Sequence, residues 1–506
     1  MRDLTRRITG FLISFIMIVH MGAMTSYAKP DWPADTGVMA EAGIVVDMDS
    51  GAVLFGQQIH VPFPPASIAK LLTALVVVEN VSLDETVTFS NDAIYNVESG
   101  SGNKLALEEG DTLSVEECLH LLLLQSSNQC ANALAEHVAG SREGFVEMMN
   151  QRIAQIGCGE SHFANPSGLN DDNQYVSAYD MALIAVEAFK NETVLKISST
   201  KQYRISQTTN NPEGANISME HRILMAQDSS SEYYCQGAVA GKTGYTSIAG
   251  NTLVTYAERD GRKLVSVILK GSQPQYYLDG KTILNFGFSS FKNESVYNSE
   301  TFMQEQSELE IQGKTYPMSQ LRLEDGMVTI PAGAEFFDAE RAFVTELPDG
   351  APAGAVAMLQ YTYNDRKVGS AYLYDIELEA RLAAEEASRE AAEASGENQE
   401  EEGEISIEPD ETPDETDPGQ QGSQGRGFRP GVKTILAAVG ITGILAAGGG
   451  AGFMMARRKR QERIRREERR ERRRKRLAEI GYKEEDFEEL VRRRRENTAD
   501  TKNSQK

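Results

Sequence analysis

Two consecutive prolines, Pro64 and Pro65, stand just before an apolar run, Ile68 to Val78, whose single charged residue is Lys70. Proline is excluded from a helix interior and the run is too apolar for a surface segment, so the sequence predicts a buried helix beginning at about Ala66. Ser67 falls in its first turn. Lys70, three residues on, projects from the same face, so hydroxyl and amine can meet. A buried amine has to be satisfied or used.

A serine hydroxyl is a poor nucleophile unless a neighbouring base takes its proton. Lys70 can be that base if its charged form is destabilised, and partial burial and the positive end of the helix dipole both act in that direction. The SxxK pattern also occurs at Ser198 to Lys201 and at Ser289 to Lys292. Neither has the Pro-Pro entry or the long apolar helix behind it, so neither is read as reactive.

Upstream, Arg2, Arg6 and Arg7 precede an apolar core, Ile8 to Met24, and small residues at Ser26 and Ala28. Residues 1–28 are the expected signal peptide, with an uncleaved anchor as the alternative, and both readings export the segment that begins at Lys29. A chain of 506 residues that is 40% apolar has room for more than one core. Its four cysteines, Cys118, Cys130, Cys158 and Cys235, lack CxxC spacing, which argues against a zinc site and against a disulfide scaffold.

Gly43 to Phe55 reads as a hairpin turning at Asp49-Ser50-Gly51. Capping boxes are expected at Ser114 to Glu117 and at Ser177 to Asp180, each opening a helix. Between them Phe145, Met149, Ile153 and Ile156 form one face of a helix that stops at Gly157. Around residue 236 the pattern changes to alternation, and Gly237 to Thr246, Asn251 to Ala257 and Leu264 to Leu269 read as consecutive antiparallel strands.

Two further polar groups sit where polar groups are costly. Gln125-Ser126-Ser127-Asn128 interrupts two apolar helices, so Ser126 and Asn128 either cap the second helix or take part in chemistry. A rival SxN match, Ser101-Gly102-Asn103, lies in a polar Gly/Ser loop that would not hold it rigidly. Lys242-Thr243-Gly244 falls on the first strand of the second half, where Gly244 allows close approach of a ligand backbone and Lys242 with Thr243 can hold a carboxylate.

The order SxxK, SxN, KTG, each in a suitable context, resembles the serine penicillin-recognising enzymes. Phe163-Ala-Asn-Pro-Ser-Gly-Leu169, Ser177 to Ala182 and Gly241 to Ser247 are similar to the low-molecular-mass penicillin-binding proteins that act as D-alanyl-D-alanine carboxypeptidases. The resemblance covers roughly residues 33 to 290 and implies an α+β, β-lactamase/transpeptidase-like domain, a five-stranded antiparallel sheet beside a helical cluster. Carried over, it makes Ser67 the residue acylated by a peptidoglycan stem peptide ending in D-Ala-D-Ala, with Lys70 as base and Ser126 as proton relay. Asn128 would hold the substrate amide, Lys242 and Thr243 the terminal carboxylate, and the backbone N–H groups of Ser67 and Tyr245 the oxyanion, with Gly244 lining the strand. No metal or cofactor is implied, and β-lactams would be covalent inhibitors.

Many relatives carry histidine at Ser167 and glycine at Ser127. These departures are read as touching no group with a chemical role. No acidic residue stands where a class A β-lactamase positions its deacylating water, and no GxSxG elbow is present. A DD-endopeptidase or β-lactamase on the same scaffold, or a non-catalytic penicillin-binding sensor, are the competing readings.

The catalytic domain is expected over 29–293 and a small all-β sandwich without chemistry over 296–375. Residues 376–430 are Glu/Ala-rich and then Glu/Asp/Pro/Gly-rich, a composition expected to give a disordered acidic linker with a helical start. Thr434 to Ala456 carries no charge and is long enough to span a bilayer, so 431–456 is the expected transmembrane helix. Arg457-Arg-Lys-Arg460 opens a basic tail, 457–506, which places it in the cytoplasm and the catalytic domain outside. Attraction to anionic lipid headgroups accounts for that tail without nucleic-acid binding. The whole-chain net charge of -24 hides this polarity.

Overall fold

The computed structural model describes residues 29–34, 37–98, 100–348 and 350–395. The expected signal peptide, the linker beyond Ser395, the transmembrane helix and the basic tail lie outside the described residues. Among the described residues no helix is long and apolar enough to cross a membrane.

The first sheet has five antiparallel strands: β1 (Ala42–Asp47), β2 (Val53–Gln57), β3 (Ala238–Thr246), β4 (Gly250–Arg259) and β5 (Arg262–Gly271), in the order β2-β1-β5-β4-β3. Successive strand residues point to opposite faces, and here both faces are covered. Ile44, Val46, Val265 and Val267 join the core shared with the helices, while Val45, Leu264 and Ile268 pack with Tyr276, Ile283 and Leu284. Burial on both sides explains why Leu264 to Leu269 reads as a near-continuous apolar run. One edge of the sheet, β3, is left facing the helical cluster.

That cluster contains α1 (Lys70–Val78), α2 (Val115–Leu124), α3 (Asn128–Ala139), α4 (Arg142–Ile156) and α5 (Ala178–Lys190). The Ser114 box closes α2 in both directions, Ser114 Oγ accepting from Glu117 N and the Glu117 carboxylate accepting from Ser114 N. The Ser177 box forms only in half. Ser177 Oγ accepts from Asp180 N, but the Asp180 carboxylate accepts from Glu160 N and Ser161 Oγ, because the folded loop presents donors that the local sequence does not reveal. Helix α4 buries Phe145, Met149 and Ile153 and ends on Gly157 at φ 90°. All four cysteines are free thiols.

A second sheet starts at β6 (Phe291–Ser295), which pairs with β10 (Met327–Pro331). The ribbon β7 (Glu308–Ile311) and β8 (Lys314–Pro317) comes between them, followed by the short β9 (Leu321–Leu323). With β11 (Glu340–Val344), β12 (Ala355–Tyr363) and β13 (Arg366–Asp375) the sheet order is β6-β10-β13-β12-β11, β9 pairing with β13. Its core draws on both the ribbon and the sheet, from Ile311 and Tyr316 to Leu359 and Tyr361. Trp32, the one tryptophan, packs tilted between Phe291 and Tyr363, with ring centroids 4.7 and 5.9 Å away, and so ties the N-terminal segment to this sheet.

A buried charge, Glu300, is held against the second sheet, accepting from Tyr361 Oη at 2.7 Å, from Phe302 N at 2.9 Å and from Arg341. Glu300→Ala strands the Tyr361 hydroxyl, and we expect a loss of roughly 2 kcal/mol, read as a shifted denaturant midpoint.

The first part of the expected linker, residues 376–395, has the helical start read from the sequence. It forms a helix, α6 (Ile376–Ser395). The Asp375 carboxylate accepts from Glu377 N and Leu378 N, and this N-terminal cap lets a run of strong helix formers propagate.

Candidate active site

The chain enters the site through Pro64 and Pro65. Thr252 Oγ1 on β4 donates to the Pro65 carbonyl at 2.9 Å, fixing that entry to the sheet. The helix predicted from Ala66 begins as a 3₁₀ turn, Ala66–Ala69, with Ala66 itself at φ 50°. In a 3₁₀ turn residues i and i+3 eclipse, which aligns Ser67 with Lys70 more closely than an α-turn would. Lys70 Nζ and Ser67 Oγ are 3.1 Å apart.

Lys70 is fully buried, and its amine meets two carbonyl-type oxygens besides Ser67: Asn128 Oδ1 at 2.8 Å and the Ser167 backbone carbonyl. Burial, and after it the Lys242 ammonium, holds the Lys70 amine well below the ordinary lysine range, against a smaller opposing effect of Cys130. The carbonyl contact is made by the backbone of position 167, so it does not depend on which side chain stands there. Its side chain is engaged elsewhere, Ser167 Oγ donating to Asn165 Oδ1 at 3.0 Å.

Ser126 occupies the junction between α2 and α3 at φ 60°, and Ser127, rather than Ser126 or Asn128, caps α3 by accepting from Cys130 N. Ser126 and Asn128 are thereby left to the cleft, which they line together with Ser67, Thr243, Gly244 and Tyr245. The cleft has a volume of about 620 Å³. Lys242 lies under its floor, 2% exposed, and donates to the Thr243 carbonyl at 2.9 Å. Burial brings Lys242 down to about 7, with Glu220 raising it and Lys104 lowering it. Tyr245 lines the cleft and is 67% exposed.

Two glycines let backbone close around Ser67. A Cβ at Gly244 would lie 2.4 Å from Thr252 Oγ1 and 2.8 Å from Ser67 N. At Gly168, φ 82°, it would lie 1.9 Å from the Ala66 carbonyl, the strained residue before Ser67. Gly168→Ala therefore has to displace the turn that carries Ser67. A shift on the order of 1 Å is expected to slow covalent penicillin labelling of Ser67 roughly 100-fold, followed by mass spectrometry.

The rival motifs fall elsewhere. Asn103 is spent on its own loop, bonding Leu107 N and O, although Ser101 and Gly102 reach the cleft rim. Ser198 donates to the Leu195 carbonyl and Ser289 to the Phe286 carbonyl.

The family described as D-alanyl-D-alanine carboxypeptidase matches residues 28–273. The D-alanyl-D-alanine carboxypeptidase DacB2 of Mycobacterium tuberculosis is 32% identical over 273 residues, which span 53% of this chain and 86% of that protein. The chain belongs to the D-alanyl-D-alanine carboxypeptidase family. DacF of Bacillus subtilis, another D-alanyl-D-alanine carboxypeptidase, is 28% identical over 298 residues, 58% of this chain and 73% of its own. Penicillin binding protein 5 of Haemophilus influenzae superposes with a TM-score of 0.54 at 25% identity, covering 68% of this chain and 98% of that one.

The carboxypeptidase site also uses groups that the sequence does not single out. Gly168 and the Ser167 carbonyl act through backbone, which leaves no side-chain signature, and Thr252 acts through one hydroxyl on a strand of ordinary alternation. Asn170 ties the far wall together, accepting from Thr246 Oγ1 at 2.8 Å and donating to the Glu98 carboxylate at 3.0 Å. Its position next to the Phe163 to Leu169 run is the one hint of this in the sequence.

Proposed function

We propose that this carboxypeptidase removes the terminal D-Ala from peptidoglycan stem pentapeptides through an ester on Ser67, and that penicillin acylates the same hydroxyl. The observation that carries this reading is the Lys70 amine, dehydrated and 3.1 Å from Ser67 Oγ. A neutral amine has two N–H donors and one lone pair. Asn128 Oδ1 and the Ser167 carbonyl take the two donors, which leaves the lone pair for the Ser67 proton.

As Ser67 Oγ attacks the penultimate D-Ala carbonyl, its proton passes to Lys70 and the oxyanion forms between the N–H groups of Ser67 and Tyr245. The C–N bond then breaks, a proton reaching the departing D-Ala amine by way of Ser126. Water adds to the ester, giving its proton to Lys70, and as the bond to Ser67 Oγ breaks Lys70 returns that proton to Oγ and the shortened stem is released. Asn128 still has its Nδ2 to donate to the substrate amide, and Lys242 with Thr243 holds the terminal carboxylate. Free D-Ala appearing from a peptide ending in D-Ala-D-Ala, at one equivalent per cleaved peptide, tests the proposal. A protein that is labelled by penicillin yet releases D-Ala only from cross-linked dimers would move the assignment to an endopeptidase.

The composition outside the described residues supports an exported enzyme held by a helix at 431–456, with the tail 457–506 on the cytoplasmic side. Protease added to intact cells should remove the catalytic domain and spare the tail.

A further inference from the structure

In the domain of the second sheet, two consecutive phenylalanines face different ways. The short 3₁₀ turn Phe336–Asp338 rotates neighbouring side chains by about 120°, which leaves Phe336 buried and Phe337 72% exposed. Glu335 N donates to the Asp338 carboxylate at 2.8 Å, so the outward ring stands on a fixed turn. An exposed phenylalanine forgoes the stabilisation of burial, and one held this way is ready to stack.

Phe336, Phe337 and Tyr361 line a cavity of about 230 Å³ with Thr301, Glu305 and Arg341. The Phe336 ring centroid lies 5.6 Å from that of Phe337 and 5.4 Å from that of Tyr361, so the three rings form one aromatic surface. The polar groups of the cavity are only partly paired. Arg341 on β11 donates through Nη1 to Glu300, but its Nη2 stands 3.9 Å from Glu305 Oε2, too far for a hydrogen bond. Glu305 Oε1 accepts from Thr301 Oγ1 at 2.6 Å, and the Glu305 side chain is half exposed. A donor and an acceptor thus stand side by side with hydrogen-bonding capacity to spare, in a cavity walled by rings.

We propose that this cavity binds one N-acylated pyranose ring of the glycan strand that carries the stem peptides. The C–H face of the sugar stacks on Phe337, while its amide or a hydroxyl donates to Glu305 and accepts from Arg341. The small volume suits a single ring better than a protein segment. The proposal rests on the carboxypeptidase reading, which is what brings the glycan to this protein. The two sheets are tied to each other, Ser50 Oγ lying 2.6 Å from Thr329 Oγ1 and Arg262 Nε donating to Asn293 Oδ1 at 3.0 Å. A sugar held on the second sheet is therefore held at a set position relative to Ser67, and stems on the same strand meet the cleft at a raised effective concentration.

The full-length protein is titrated with the N-acetylglucosamine trimer chitotriose. Release of D-Ala is then compared on a free stem pentapeptide and on soluble, uncross-linked glycan strands bearing the same pentapeptide. The wild type should bind the trimer with a Kd on the order of 1 mM or below, and the trimer should inhibit release from the strands but not from the free peptide. Phe337→Ala should lose trimer binding and lower kcat/KM on the strands roughly 10-fold, with the free peptide changed less than about twofold. Glu305→Gln keeps the size of a half-exposed side chain and should also weaken trimer binding, which keeps the test open if Phe337→Ala folds poorly. No trimer binding by the wild type, or equal losses on strands and free peptide, overturns the proposal. A wild type that binds the trimer yet releases D-Ala from neither substrate would instead remove the carboxypeptidase reading.

Discussion

Ser67→Ala is expected to abolish D-Ala release, lowering kcat by roughly 10⁴-fold or more, and to remove covalent labelling by penicillin altogether. The residue sits on a turn whose shape does not depend on its hydroxyl: Thr252 holds the Pro65 carbonyl, and Gly168 and Gly244 pack against its backbone. Lys70 keeps its contacts to Asn128 and the Ser167 carbonyl when Oγ is gone. The variant should therefore fold with an unchanged melting midpoint and still bind penicillin reversibly, since the carboxylate-binding residues are untouched. Release of D-Ala at even a tenth of the wild-type rate would place the nucleophile elsewhere, with Ser126 the next hydroxyl in the cleft.

Much of this site is legible in the sequence because its parts are written in local chemistry. Two prolines followed by an apolar run mark the start of a buried helix, and a lysine inside that run demands a purpose. The edge strand that carries Lys242 is visible as a change from helical to alternating periodicity. Other parts depend on what lies opposite in space. The sequence cannot say that the first turn is 3₁₀ or that Ala66 adopts a positive φ, because the sheet holds it there through Thr252. Of two adjacent serines, local propensity does not decide which caps α3. Ser127 takes that role only because Ser126 is held at φ 60° toward the cleft. The Ser167 carbonyl is invisible for a simpler reason, since any residue has one. The helical start of the 376–430 segment is legible as a run of strong helix formers, whereas its cap, the Asp375 carboxylate accepting from Glu377 N and Leu378 N, is supplied by the end of β13.

Lys70→Met should be nearly as damaging as loss of the nucleophile. Methionine keeps an unbranched apolar stem in a fully buried position and removes only the amine. Losing the base is expected to slow both D-Ala release and penicillin acylation roughly 10³-fold or more. The stability change should be small by comparison. Asn128 Oδ1 and the Ser167 carbonyl lose a donor, at about 1–3 kcal/mol for an unsatisfied buried group, but the cost of holding a dehydrated amine disappears as well. The pH dependence assigns the role more sharply than the loss of rate. Acylation needs Lys70 neutral, so the acid limb of kcat/KM marks its protonation, and the depressed pKa carries activity down to neutral pH where an ordinary lysine would be fully charged. Carboxylate binding needs Lys242 charged, so activity falls again as pH rises past the deprotonation of Lys242, which lies at about 7 in the free enzyme. The two amines repel, so the limbs belong to the pair. Lys242→Gln removes the cation that helps keep Lys70 neutral, and the acid limb of penicillin acylation should then move to higher pH. An acid limb that stays in place in Lys242→Gln, or a Lys70→Met enzyme that retains its rate, would leave Ser67 without Lys70 as its base.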